Sequence, residues 1–131
     1  MSQENVEIVR RSYMAFERGE VSAALDDAHP DVVTYRAEPE ARTWHGPEGF
    51  LEALADWTEG FDEFSATAEE FIDAGDRVIV RVHQKAVGRS SGAPVEADFW
   101  FVHTLSSAKV TRLDIFASKA PALEAAGLRD G

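Results

Sequence analysis

Cysteine is absent from this 131-residue sequence. Disulfides, thiolate nucleophiles and Cys-ligated zinc are excluded with it. Basic side chains are scarce: 13 Lys and Arg stand against 24 Asp and Glu, a formal net charge of −11. Such a surface repels phosphate backbones and anionic lipid, which argues against nucleic-acid and membrane-surface partners. No apolar run reaches the roughly 18 residues that a membrane span needs. The opening MSQENVEIVRR has no basic stretch followed by an apolar one, so no signal peptide is expected and the expected location is the cytoplasm. No His-x-x-x-His spacing occurs among the four His, so no metal site is expected. A phosphate-cradling Gly loop and a Gly-x-Ser-x-Gly elbow are also missing, and no cofactor is expected. Without an internal repeat or linker, the chain reads as one domain over residues 1–131.

What is present suits a packed core, at 44% hydrophobic residues. Ser2 is placed to cap a helix running to about Arg18, in which Val6, Val9, Tyr13 and Phe16 share one face. A short helix over Val21 to Asp27 ends at His29-Pro30-Asp31. Val32 to Arg36 reads as a strand and Ala37 to Thr43 as a loop. Pro47 opens a third helix with a stripe of Phe50, Leu51, Leu54 and Trp57. The period then shifts towards two. Strands are expected over 64–74, 77–88, 95–105 and 110–117, joined by tight turns and one loop. Ser118 and Gly127 bracket a short terminal helix. Helices followed by an antiparallel meander make an α+β fold.

The strand pair from Gly75 to Leu105 has two dissimilar faces. Val78, Val80 and Val82 lie on one side, and Ile79, Arg81 and His83 on the other. Pairing Val87 with Pro94 sets His83 opposite Asp98 and Arg81 opposite Trp100. Taking Ser107 and Ala108 as turn residues sets Val102 opposite Leu113 and Trp100 opposite Ile115. Directly opposed side chains share a face. One face therefore gathers Arg81, His83, Asp98, Trp100, Val102, Leu113 and Ile115, and the other gathers Val80, Val82, Phe99, Phe101, His103 and Phe116.

The stretches ENVEIVRRSYMAFERGEVSAAL, HPDVVTY, WHGPEGFLEAL, EEFIDAGDRVIVRV and AKVTRLDIF…ALEAAGL, in this order, resemble the nuclear transport factor 2-like superfamily. They are most similar to its SnoaL-like group, which includes polyketide cyclases, ketosteroid isomerases and limonene epoxide hydrolases. The resemblance implies a curved antiparallel sheet wrapped around three N-terminal helices as a cone with a deep pocket, and a short C-terminal helix. It also implies a homodimer through the convex sheet face. It places the Trp100–Leu113–Ile115 face inward. The reactive residues of the better-defined members are not reproduced. The isomerase Tyr and its two acids would fall at Ser12, Arg36 and Trp100. The epoxide hydrolase Arg-x-Asp is matched by Arg81 and His83, and its final acid falls at Ile115.

On this assignment His83 is the candidate base, Asp98 its orienter and Arg81 the anion stabiliser. Trp100, Tyr13, Trp44, Trp57, Leu113, Ile115 and Val102 are candidate contacts for a small hydrophobic or aromatic molecule. The chemistry would be acid–base isomerisation, cyclisation or hydrolysis. The same cluster also reads as a site that binds without converting, or as a structural network that closes its own hydrogen bonds. Val80, Val82, Phe99, Phe101 and Phe116 then form the dimer face. The alternative is that these residues are the monomer core.

Overall fold

The computed structural model describes residues 2–128. The side chain of Ser2, expected as a cap, lies outside the described part. Helices α1 (Ser2–Glu17) and α2 (Val21–Ala24) lead into strand β1 (Ala28–Arg36). Strand β2 (Arg42–His45) and helix α3 (Gly46–Thr58) follow. Four strands come next: β3 (Phe61–Ala74), β4 (Arg77–Gly88), β5 (Pro94–Ser106) and β6 (Lys109–Phe116). Helix α4 (Lys119–Ala125) ends the order. Among the described residues no helix is long and apolar enough to cross a membrane.

The expected α+β order is present, with two additions. Arg42 and Thr43, read as loop, belong to β2, which pairs antiparallel with β1 through Thr34 and Trp44. His29-Pro30-Asp31, read as a break, lies within β1. Pro30 sits on the solvent-facing first part of that strand, where an absent N–H costs no ladder bond. The six strands form one sheet in the order β2-β1-β6-β5-β4-β3. Only β1 and β6 run parallel among these pairs. Joining them sets β1 beside the last strand of the final hairpin, a long-range pairing that no local pattern in the chain announces.

The turns follow residue chemistry. Gly75, at φ 79°, carries the tight turn between β3 and β4, and its N–H donates to Asp73 Oδ1 at 3.0 Å. Gly49 lets α3 press against β2, since a Cβ there would meet the Trp44 backbone carbonyl and Cβ at 3.1 Å. Ser118 occupies the N-cap of α4 but makes no side-chain cap bond.

The β4–β5 register has Val87 opposite Pro94, His83 opposite Asp98 and Arg81 opposite Trp100, as the strand pattern predicts. The β5–β6 register does not follow the prediction. Ser107 and Ala108 do form the turn, both with positive φ, and Leu105 pairs with Val110. Thr111 then inserts as a β-bulge, its hydroxyl donating to the Thr104 carbonyl at 3.3 Å. Beyond it Thr104 pairs with Arg112, His103 with Leu113 and Phe101 with Ile115. That slip of one residue exchanges the faces of β5 relative to β6.

The core consequently has two parts, one on each side of the sheet. On the inner side Val78, Val80, Val82 and Leu105 pack against Val6, Ile8 and Val9 of α1. On the outer side Ile79 and Val102 pack under Ala122, Leu123 and Ala126 of the α4 segment. Val80 and Val82 are thus monomer core and present nothing to a second chain, which corrects the expected dimer face. Strand β4 is apolar on both sides from Val78 to Val80, where both sides are covered.

Candidate functional site

A cavity of about 150 Å³ lies between the inner sheet face and the helices. Alternate residues of each strand reach it: Val32, Thr34 and Arg36 from β1, Val82 and Gln84 from β4, Phe99, Phe101 and His103 from β5, Leu113 and Ile115 from β6. Helix α1 contributes Ser12, Tyr13 and Phe16, and α3 contributes Phe50, Ala53, Leu54 and Trp57. Trp44 and Glu38 complete this side.

The structure thus brings Tyr13, Trp44, Trp57, Leu113 and Ile115 together around one space. It separates them from Arg81, His83, Asp98, Trp100 and Val102, which lie on the opposite face. Val102 is fully buried under α4, and Trp100 packs at the edge of the same cluster. The inward assignment of these five residues is therefore corrected, and the bulge at Thr111 is the reason. Phe99 and Phe101, expected on a dimer face, line the cavity instead. Phe116 borders the cavity and also packs against the α4 cluster.

The outer trio still meets as the strand register requires. His83 Nδ1 lies 2.7 Å from Asp98 Oδ1, and Nε2 lies 2.8 Å from Glu96 Oε1. Arg81 bridges Glu70 at 3.4 Å and Asp98 at 3.6 Å. The hydrogen bond to Asp98, then that to Glu96, raises the His83 pKa. Both ring nitrogens are engaged, so the imidazolium closes its own bonds on a half-exposed surface. The cluster lies on the sheet face opposite the cavity and contributes none of its lining.

Inside the cavity a different pair stands out. Tyr13 Oη and His103 Nε2 are 2.8 Å apart, and both rings belong to the wall. Tyr13 meets His103, Phe71 and Phe101 edge-to-face, with centroids 5.4, 6.0 and 6.4 Å away. Burial pushes the His103 pKa down to about 3 and the Tyr13 phenol well above its ordinary range. Both groups are therefore neutral at pH 7. Either His tautomer leaves the pair one spare donor and one spare acceptor. If Nε2 accepts the phenol proton, Nδ1–H remains to donate. If Nε2–H donates to Tyr13, the phenol proton is free and Nδ1 accepts.

A second polar group lies among the tryptophans. The Arg36 Cζ sits 5.1 Å from the Trp44 ring centre and 5.6 Å from that of Trp57. Its Nη1 donates to Asp56 Oδ2 at 2.9 Å. That bond holds the Asp56 carboxyl below the usual carboxylate range. Trp57 Nε1 donates to Gln84 Oε1 at 2.8 Å, so the indole edge is fixed.

Sequence reasoning missed Arg36, Gln84 and His103 as cavity residues. One signal was available for His103. The most apolar face of a sheet in a small protein is first of all its own core, and His103 shares that face with Val80 and Phe101.

The family profile described as SnoaL-like domain matches residues 9–113, most of the chain. The protein belongs to the SnoaL-like family. Solved structures agree on the fold. A nuclear transport factor 2-like protein from Burkholderia thailandensis superposes with a TM-score of 0.79 at 21% identity, covering 94% of this chain and 95% of that one. TerC, co-crystallised with polyporic acid, gives 0.74 at 25% identity over 95% and 98%. A ketosteroid isomerase-like fold from Catenulispora acidiphila, in complex with trimethylamine, gives 0.71 at 17% identity over 93% of both chains. No curated protein is a significant match to this SnoaL-like chain.

Proposed function

We propose that this SnoaL-like protein takes one small, largely apolar molecule into the cavity and performs acid–base chemistry on it at Tyr13 and His103. One observation carries the reading. Two mutually hydrogen-bonded polar side chains, His103 buried and Tyr13 half-buried, stand in a wall that is otherwise mainly aliphatic and aromatic. Apolar cavities with a few convergent polar groups are the usual form of small-molecule sites. A cavity of about 150 Å³ is large enough for a single six-membered ring. Two structural relatives with small molecules, polyporic acid in one and trimethylamine in the other, support a ligand site in this fold.

The chemistry follows from the neutral pair. A ligand carbonyl accepts the Tyr13 proton while His103 Nδ1 accepts a proton from the adjacent carbon, giving an enol. Reversing both transfers returns the keto form, so atoms and charge balance and no cofactor takes part. Positioned acid and base groups contribute about 10²- to 10⁴-fold to such steps.

Cyclohexanone in D₂O is a direct test. Wild-type protein should accelerate exchange of its α-protons, followed by NMR, and Tyr13→Phe or His103→Phe should lose about 100-fold of that rate. Saturable binding of cyclohexanone with no accelerated exchange would leave a binding protein without this chemistry. Absence of both binding and exchange would remove the proposal.

A further inference from the structure

We propose that Arg36 is the anion anchor of the cavity, and that the ligand is an organic acid whose carboxylate or enolate oxygen sits on this guanidinium with its apolar body among the aromatic side chains. The proposal rests on the small-molecule reading above and narrows it to a ligand class.

Arg36 is unusual in its satisfaction. Its side chain is only 11% exposed, and it borders the cavity. A guanidinium carries five N–H donors and stays charged at any ordinary pH. Here Nη1 is held by Asp56, while Nε is buried without a hydrogen-bond partner. Buried donors are nearly always paired, so an unpaired one on a side chain that borders a cavity calls for an acceptor that the described chain does not supply. The two indole rings hold the guanidinium over their faces and keep it oriented without consuming its donors.

Asp56 is shared: its Oδ1 accepts from Arg42 Nη1 at 3.3 Å while Oδ2 accepts from Arg36. One carboxylate thus serves two guanidiniums, and Arg36 does not hold Asp56 to itself. Glu38 also lines the cavity, but among the described residues it forms no ion pair with either guanidinium. Charge-assisted bonds from a fixed guanidinium are strongest where water is excluded, and its planar fork matches a carboxylate. Arg36 and the Tyr13–His103 pair are then separate contacts, one for the anionic oxygen and one for the rest of the molecule.

Benzoate and benzamide have nearly the same shape and differ in charge, so they separate the two readings. Titrated into the wild-type protein and followed by calorimetry, benzoate should bind at least about tenfold more tightly than benzamide. Arg36→Met keeps the stem and removes the charge. It should weaken benzoate about tenfold and leave benzamide within about twofold. Equal binding of the two probes to wild type overturns the anion anchor and keeps the cavity reading. Binding of neither overturns both. An unchanged benzoate preference in Arg36→Met also overturns the anchor. A wild-type measurement covers the case in which this variant does not fold. The Arg36 Nε–Hε resonance should shift on adding benzoate and not benzamide, and a resonance that responds to neither rejects the contact.

Discussion

Val80→Asp abolishes folding, whereas Arg81→Ala changes stability by less than about 1 kcal/mol. These adjacent residues of β4 point to opposite faces, and the contrast reads the face assignment directly. Val80 is fully buried against α1, with Val78 and Val82 beside it. An aspartate there would put a charge into an apolar layer with no partner, at a cost of several kcal/mol beyond the lost valine packing. A domain of this size is stable by roughly 5–15 kcal/mol in total, so the native state is largely lost. Arg81 is about one-third exposed and its bridges to Glu70 and Asp98 are 3.4 and 3.6 Å long. Exposed pairs of that kind contribute about 0–1 kcal/mol. Circular dichroism melts of the two variants, with sedimentation of the soluble fraction, decide the matter. A folded Val80→Asp protein with only a changed oligomeric state would restore the view of this face as an interface.

His103 makes stability fall in mild acid. Its folded pKa of about 3 lies far below the unfolded value near 6.5. Between those values the unfolded chain binds a proton and the native state does not. The stability from this group is therefore complete above about pH 6.5 and is lost as pH falls towards 3. The slope is about 1.4 kcal/mol per pH unit. Tyr13 is silent in this range, since burial moves its titration upwards. His83 has the opposite sign: its raised pKa gives stability that is present below pH 6.5 and lost as pH rises through the folded value. It is half-buried on the opposite face of the sheet and common to both proteins compared, so it cancels in the difference. The comparison is with the double variant Tyr13→Phe, His103→Phe. Removing both partners leaves no orphaned hydroxyl, so the neutral-pH stability should stay close to wild type. Denaturant melts from pH 7 to 4 should show the wild-type curve falling more steeply by that slope. Parallel curves would mean that His103 is not buried as a neutral ring.

Much of the architecture was legible from residue order alone. The face of α1 carrying Val6, Val9 and Tyr13 follows from its period, and the β4–β5 register follows from two alternating strands across a short loop. Even the Ser107–Ala108 turn was readable. The site was less legible, although Tyr13, Trp44, Trp57, Leu113 and Ile115 were all picked out as ligand contacts and all line the cavity. His103 and Arg36 needed the assembled fold. His103 was assigned outward because a single residue, Thr111, bulges from the ladder, and nothing in Lys-Val-Thr-Arg-Leu distinguishes a bulge from a regular strand.

The sequence by itself determined the order of the helices and the four long strands, the α+β class, the absence of cysteine chemistry and the pairing of β4 with β5. These depend on local propensity, period and turn residues, all of which act over a few positions. Tertiary structure decided which face of the sheet is inside. Side chains alternate with a period of two, so one extra residue exchanges every inward group for an outward one. It also decided that Arg36 stands between Trp44 and Trp57, because the parallel pairing of β1 with β6 joins residues far apart in the chain. The Arg81–His83–Asp98 cluster is a correct prediction of neighbours on the wrong side of the sheet, and the cavity belongs to Tyr13, His103 and Arg36.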